Sequence, residues 1–346
     1  AEDGIRDIGV TGVQTCALPI FDGQVGIKAR LVVQGTKKKD IREGVQTEVA
    51  LPHHRALRVL MAWQLKQPNW DPHATILQGD LKTAFLQADN LSDLVFVQCP
   101  KDTGARSPED RALINSMFGP EGVAKAVKTL YGTRDAPHNL DVQVRRSLTQ
   151  RGYRECVSCP NLYRRYTAKG MTYSAFNALS REARQTMLLD RGLAIDSIVF
   201  VYVDDLLMFS GVTRAQQVAE EIQGAWKFKE APKPPTRFLG INFTLTDKGI
   251  FWDQKELAEG LKRVIDEKYL SYDYNMPLPR NTTAISEAIL AERTQPDKVL
   301  SPKSHTRYRS ILGMFAFLAH TRMDLLFAIS FFGRWGDQRS EEHTSE

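Results

Sequence analysis

Cysteine is scarce in this chain. Four occur among 346 residues, at positions 16, 99, 156 and 159, and only Cys156 and Cys159 stand at a C-x-x-C spacing. Neither a second such pair nor histidines at ligand spacing accompany them, so a structural zinc site is a poor fit. Thiols this sparse suit a reducing compartment better than a disulfide framework. Long hydrophobic runs are missing too. Nothing approaches the roughly 18 consecutive apolar residues that span a bilayer, and the most apolar stretch, Tyr308 to Arg334, is broken by Arg322 and Asp324. No membrane partner is expected. Nor is there an excess of one charge sign: 46 basic against 41 acidic residues leave a formal +5. That surplus suits a phosphate-bearing partner without singling one out.

What is present is ordinary globular material. A hydrophobic share of 42% and a charged share of 25% allow a large core and argue against disorder. The length admits two or three subdomains. The ends are different. Val10 to Ile20 reads VTGVQTCALPI and Arg339 to Glu346 reads RSEEHTSE; the two look like opposite strands of one sequencing adapter, translated. Residues 1–20 and 339–346 are therefore set aside from fold reasoning, and the remainder is expected to be a fragment open at both ends.

The stretch around which the rest is organised is Ser197 to Ser210, SIVFVYVDDLLMFS. Ile198 to Val203 are β-branched or aromatic and read as a buried strand, and Leu206 to Phe209 resume the apolar pattern directly after Asp204 and Asp205. The two aspartates are thus expected at a tight hairpin turn. Adjacent carboxylates there suffer desolvation and mutual repulsion unless a cation neutralises them. An Asp-containing β-turn is common, so this tetrapeptide alone is weak. Ile76 to Gln87, ILQGDLKTAFLQ, adds a third carboxylate, Asp80, at the end of a second apolar strand. Asp80, Asp204 and Asp205 make an all-oxygen set of the kind Mg²⁺ prefers when substrate phosphates complete its shell.

YVDD at Tyr202 to Asp205, D-x-x-x-A-F at Asp80 to Phe85 and FLGI at Phe238 to Ile241 resemble reverse transcriptases, specifically those of copia-type long-terminal-repeat retrotransposon polyproteins. Further matches are KARLV at Lys28 to Val32, LYG and AP at Leu130 to Gly132 and Ala136 to Pro137, and YRSILG at Tyr308 to Gly313. The motifs stand in family order and cover nearly all of 21–338. The chain departs from the pattern at Asp135, Leu140, Cys159, Asn161 and Met323. Asp135, taken as facing nucleic acid, is expected to weaken that contact by like-charge repulsion.

The resemblance implies an α+β right-hand polymerase fold: fingers and palm over 21–245, then thumb and connection over 246–338 toward a ribonuclease H domain. It implies RNA-directed DNA polymerase activity with two Mg²⁺ ions, Mn²⁺ as substitute, held by Asp80, Asp204, Asp205 and the Leu81 backbone. Lys28, Arg30, Phe85 and Lys229 are implied at the dNTP, Phe85 excluding a ribose 2′-hydroxyl and Lys229 meeting the leaving pyrophosphate. For Lys37, Lys38 and Lys39 a solvated hairpin face is favoured. Tyr202, Val203, Arg134, Pro137 and the primer-grip residues Phe238, Leu239 and Gly240 are implied at nucleic acid. Partners would be an RNA template, a DNA primer, dNTPs and the ribonuclease H and integrase parts of the polyprotein, in a cytoplasmic virus-like particle or the nucleus. Two other readings stay open: a decayed copy that keeps fold and RNA binding without catalysis, and another two-metal enzyme such as a nucleotidyl cyclase, against which FLGI and the basic fingers segment argue.

Elsewhere, Pro52 to Gln67 reads as an amphipathic helix with His53 and His54 in capping or surface roles, and His138 to Arg151 and Ala215 to Trp226 read as helices. Thr167 to Leu193 has helical spacing in its second half and resembles nothing in the family, so an inserted surface segment is expected. Asn275 to Lys303 reads as a proline-bearing linker.

Overall fold

A computed structural model describes residues 9–19, 27–33, 44–88, 90–99, 107–119, 121–265, 278, 281–293 and 301–336; for 9–19, 27–31, 90–94, 110, 292 and 293 it describes the backbone alone. The chain divides into two compact units, Ala1–Pro235 and Thr236–Glu346. Among the described residues no helix is long and apolar enough to cross a membrane.

The first unit is built on a five-stranded antiparallel sheet of β3 (Ile76–Asp80), β6 (Arg154–Cys156), β7 (Cys159–Ala168), β8 (Leu193–Tyr202) and β9 (Asp205–Ser210), in the order β3-β9-β8-β7-β6. The apolar runs 198–202 of β8 and 206–209 of β9 follow from burial on both faces. Val199, Val201, Leu206 and Met208 join one core with Leu140, Val144 and Leu148 of α4 (Ala136–Gln150) and Val218 and Ile222 of α7 (Ala215–Gln223). Ile198, Phe200, Leu207 and Phe209 alternate with them and are equally buried. Helix α1 (His54–Leu65) lies against β9, where the buried Gln64 amide donates to the Ser210 carbonyl at 2.9 Å. Leu140, one of the departures from the family pattern, is 1% exposed in this core.

A second sheet in this unit has the order β2-β1-β4-β5, from β1 (Gly9–Pro19), β2 (Ile27–Val33), β4 (Asn90–Gln98) and β5 (Val123–Lys128). β1 falls in the segment set aside for its adapter-like wording, yet it pairs antiparallel with β2 and parallel with β4. Val10, Thr11, Val13 and Thr15 favour an extended chain, and strand edges accept any such segment whatever its origin. The turn at Tyr131 and Gly132 holds this sheet. The Val33 amide donates to the Tyr131 carbonyl at 2.7 Å, and a Cβ on Gly132, whose φ is +88°, would lie 2.0 Å from the Val33 oxygen. Gly132→Ala combines a backbone clash with left-handed strain. It is expected to cost about 3 kcal/mol, read as a fall in urea midpoint with unchanged m-value.

The stretch 167–193 is more regular than a loose insertion. β7 continues to Ala168, and α5 (Tyr173–Asn177) and α6 (Arg181–Arg191) follow, capped by the Thr172 and Ser180 hydroxyls, which accept from the Ala175 and Ala183 amides. A buried knot anchors it. Arg165, 2% exposed, pairs with Asp196 at 2.8 Å and with Glu221, between the rings of Tyr153 and Tyr173 at 4.7 and 4.5 Å. The second Asp196 oxygen accepts the Tyr173 amide at 2.9 Å.

The second unit opens with a three-stranded antiparallel sheet: β10 (Arg237–Phe238), β11 (Ile241–Thr246) and β12 (Gly249–Asp253). Helix α8 (Lys255–Val264) and helices over Pro302–Leu318 and Leu326–Gly333 follow. The expected linker is corrected in part: Thr282–Arg293 is a helix, with the Ala284 amide donating to the Asn281 side chain at 3.1 Å. Pro277, Pro279 and Pro296 lie outside it, so the prolines that suggested a linker bracket a helix.

Candidate active site

The site is made by strand register. β3 pairs antiparallel with β9 so that Asp80 is the direct cross-strand partner of Asp205, which sets their Cα atoms about 5 Å apart. β8 pairs Tyr202 with Asp205, leaving Val203 and Asp204 as the two turn residues. Val203 has φ of +59°, uncommon for a β-branched residue, and its side chain packs on the core below. The Leu81 amide donates to the Asp204 carbonyl at 2.9 Å and closes the corner. Asp80 and Leu81 at the end of β3 are thereby brought together with Asp204 and Asp205 at the β8–β9 turn, although the two pairs are far apart along the chain.

Lys229 completes it. The segment after α7 runs beside the otherwise open edge of β3: the Gln78 amide donates to the Lys233 carbonyl at 2.7 Å, and the Lys229 amide to the Asp80 carbonyl at 2.9 Å. Gly79 permits this approach, since a Cβ there would meet the Phe228 ring at 2.5 Å. Lys229 Nζ forms an ion pair with Asp80 Oδ2. The lysine expected at a leaving pyrophosphate thus rests on a carboxylate. Gln87 sets this segment, accepting from the Lys227 amide at 2.7 Å and donating to the Lys227 carbonyl at 2.8 Å.

Electrostatically the corner is loaded. Burial, then the charges of Asp204 and Asp80, push the Asp205 carboxyl up from 3.8 to about 6, with Lys229 opposing. Asp80 Oδ1 is buried with no hydrogen-bond partner. A hard divalent cation would relieve both, so the donor set fits one by its chemistry. Among the described residues, however, no group of three or more His, Cys, Asp or Glu side chains is already arranged to hold a metal ion. The fit is one of donor type and strand register, and the side chains as they stand do not form a cage.

Of the remaining expected residues, Phe85 lies in the short helix α2 (Ala84–Gln87) behind Asp80 and meets Tyr131 edge-on at 5.0 Å between centroids. Pro137 and Val203 line one shallow recess with Asp141 and Asn161. Arg134 is half-buried in the turn before α4. Lys28 and Arg30 alternate along β2, which puts them at same-face positions; their side chains, and Lys37 to Lys39, lie outside the described residues. Phe238, Leu239 and Gly240 form the tight β10–β11 turn in the second unit, with φ of +48° at Leu239 and +74° at Gly240.

One expectation is corrected. Asp135 is 7% exposed and accepts from the Asn139 amide side chain at 3.2 Å, so it turns inward and the expected repulsion toward nucleic acid loses its basis. His53 caps α1 as expected, its Nδ1 accepting from the Arg55 amide, and His54 is half-buried, edge-on to Tyr202 at 5.9 Å. His54, Gln87 and the bracing role of Tyr131 carry no periodic signal in the sequence; the LYG motif alone pointed toward one of them.

No family model matches the chain. It is similar to the retrovirus-related Pol polyprotein from transposon RE1 of Arabidopsis thaliana, 24% identical over 323 residues, and to that from transposon RE2 of the same plant, 23% identical over 323 residues. The chain resembles a retrotransposon Pol region. Both matches take in 91% of this chain but 18% of the relative, so the chain spans about a fifth of the length of the curated Pol polyproteins it matches. The carboxylate corner lies within this Pol-like chain, in its first unit.

Proposed function

We propose that this Pol-like chain is an RNA-directed DNA polymerase of a copia-type retrotransposon, adding dNTPs to a primer 3′-hydroxyl on an RNA template. The observation that supports it most is the register that sets Asp80 opposite Asp205 and beside Asp204. Asp80, Asp204, Asp205 and the Leu81 carbonyl would hold two Mg²⁺ ions, or Mn²⁺, which when bound activate the attacking hydroxyl and stabilise the leaving oxygen. Lys229, released from Asp80, supplies a cation for the pyrophosphate. Tyr202, Val203, Pro137 and Arg134 are the proposed contacts to the primer end and template in the first unit, and Phe238, Leu239 and Gly240 are a separate proposed nucleic-acid contact. Lys28 and Arg30 are the proposed cations for the triphosphate. Ribonuclease H and integrase of the same polyprotein are the proposed partners, in a cytoplasmic particle or the nucleus.

Primer extension on homopolymer RNA tests this. Incorporation of dNTP by the chain, lost in Asp204→Ala, is the expected result; template binding with no incorporation overturns it. That outcome is the second reading, a decayed copy, which draws on Cys159 and Met323 and on the hold of Lys229 on Asp80. Leu140 and Asp135 no longer favour it, since both are accommodated in the fold. Phe85→Val is expected to raise ribonucleotide over deoxynucleotide use by about tenfold, measured in a competition assay. An unchanged ratio takes Phe85 away from the sugar.

A further inference from the structure

The two cysteines that failed as a zinc motif are cross-strand neighbours. β6 and β7 meet through the turn Cys156-Val157-Ser158-Cys159, in which Cys156 pairs directly with Cys159. Directly opposed antiparallel residues have Cα atoms about 4.5–5.5 Å apart, inside the roughly 4.4–6.8 Å that a disulfide spans. Both thiols are free. Val157 at the tip is fully exposed and Cys156 is half-buried, while Cys159 is 8% exposed. The pair thus has an accessible member and a sheltered one.

We propose that Cys156 and Cys159 are a thiol–disulfide exchange site, Cys156 the attacking thiol and Cys159 the resolving one, oxidised by a low-molecular-weight disulfide. The Cys156 thiolate attacks one sulfur of the small disulfide, forming a mixed disulfide and expelling one small thiolate, which takes up a proton. Cys159 then gives its proton to solvent and attacks the Cys156 sulfur, expelling the second small thiol. Two protein thiols are oxidised to one disulfide, and the small disulfide is reduced to two thiols.

The surroundings favour the thiolate at Cys156. Its sulfur lies 3.3 Å from the Ser158 hydroxyl, and this hydrogen bond, helped by the turn amides of Ser158 and Cys159 and by the charge of Arg164, draws the thiol below its usual range against the effect of burial. The groups facing the turn include Glu155, which accepts from the Asn161 amide at 2.8 Å and pairs with Arg145. The ring closed is four residues long, so the bond adds little to global stability. It acts locally, beside Asn161, whose side chain donates to the Ala50 carbonyl at 2.7 Å and to Asp141 at 2.6 Å. The site is independent of the proposed polymerase reading.

The test is incubation of the full chain with glutathione disulfide, quenching with an alkylating agent, and peptide mapping by mass spectrometry. The wild type is expected to yield a Cys156–Cys159 disulfide with little mixed disulfide. Cys159→Ser is expected to stop at glutathionylated Cys156, and Cys156→Ser to leave Cys159 modified at least about tenfold more slowly. Accumulation of mixed disulfide in the wild type, or modification of Cys156 no faster than of Cys99, overturns the proposal. Reactivity at Cys159 in Cys156→Ser equal to that of Cys156 in the wild type also overturns it.

Discussion

Asp205→Asn is expected to stabilise the metal-free protein near neutral pH and to abolish dNTP incorporation. The two effects share one cause. Burial and the neighbouring Asp204 and Asp80 raise the folded pKa of Asp205 from 3.8 to about 6. Between those values the folded state binds the proton that the unfolded state has lost, so this group's contribution to stability falls as pH rises through the window. Above about pH 6 the full cost of the charge is present. Because the carboxylate is partly exposed, solvent screening reduces that cost, and removing it is worth about 1–2 kcal/mol. That corresponds to a rise in Tm of about 2–6 °C for a unit of this size. At pH 4 and below the gain disappears, because wild-type Asp205 is then protonated as well. Incorporation is expected to fall by about 10³-fold, since on the proposed reading a carboxylate lost from the cation site removes several kcal/mol of transition-state stabilisation. A variant that is both less stable at neutral pH and still active contradicts the reading on both counts. The opposed signs are typical of a group kept for function against stability.

Arg165→Ala is expected to be the most damaging single change outside that corner. The arginine reaches both Asp196, which is fully buried, and Glu221, and fills the gap between two tyrosine rings. Its removal strands the Asp196 charge in the interior, left among the described residues to the Ser197 hydroxyl, at 2.9 Å, and the Tyr173 amide. Breaking a buried pair from one side costs about 3–5 kcal/mol, which lowers Tm by about 10 °C. The double variant Arg165→Met with Asp196→Leu removes both charges. It is expected to recover at least about half of that loss, because no buried charge is left unpaired. Denaturant titration of the singles and the double measures this. A double variant that loses the sum of the two single losses means the pair is not coupled.

The β8–β9 hairpin was legible because its chemistry is local. A run buried on both faces shows as continuous apolar sequence, and the carboxylates break it at the turn. Asp80 was legible for the same reason, at the end of its own short strand. Contacts that join distant parts of the chain left no such trace. Arg165 and Asp196 are 31 residues apart and Arg165 and Glu221 are 56 apart, and each reads as an ordinary surface charge until the strands are aligned. Gln87 reaches across 140 residues to Lys227. Asp135 reads in the sequence as facing nucleic acid, and the direction of its side chain is set by a turn that composition does not specify. The helix over Thr282–Arg293 was hidden by the prolines around it, which weigh on a compositional reading although they lie outside the helix.

The central claim is that Asp80, Asp204 and Asp205 act as one cation site, and Mn²⁺ titration followed by electron paramagnetic resonance tests it most directly. The wild-type chain is expected to bind Mn²⁺ with an affinity that falls at least about tenfold in each of Asp80→Asn, Asp204→Asn and Asp205→Asn. Binding by Asp80→Asn that is indistinguishable from wild type would contradict the claim, because β3 would then contribute nothing to the site its register appoints it to share.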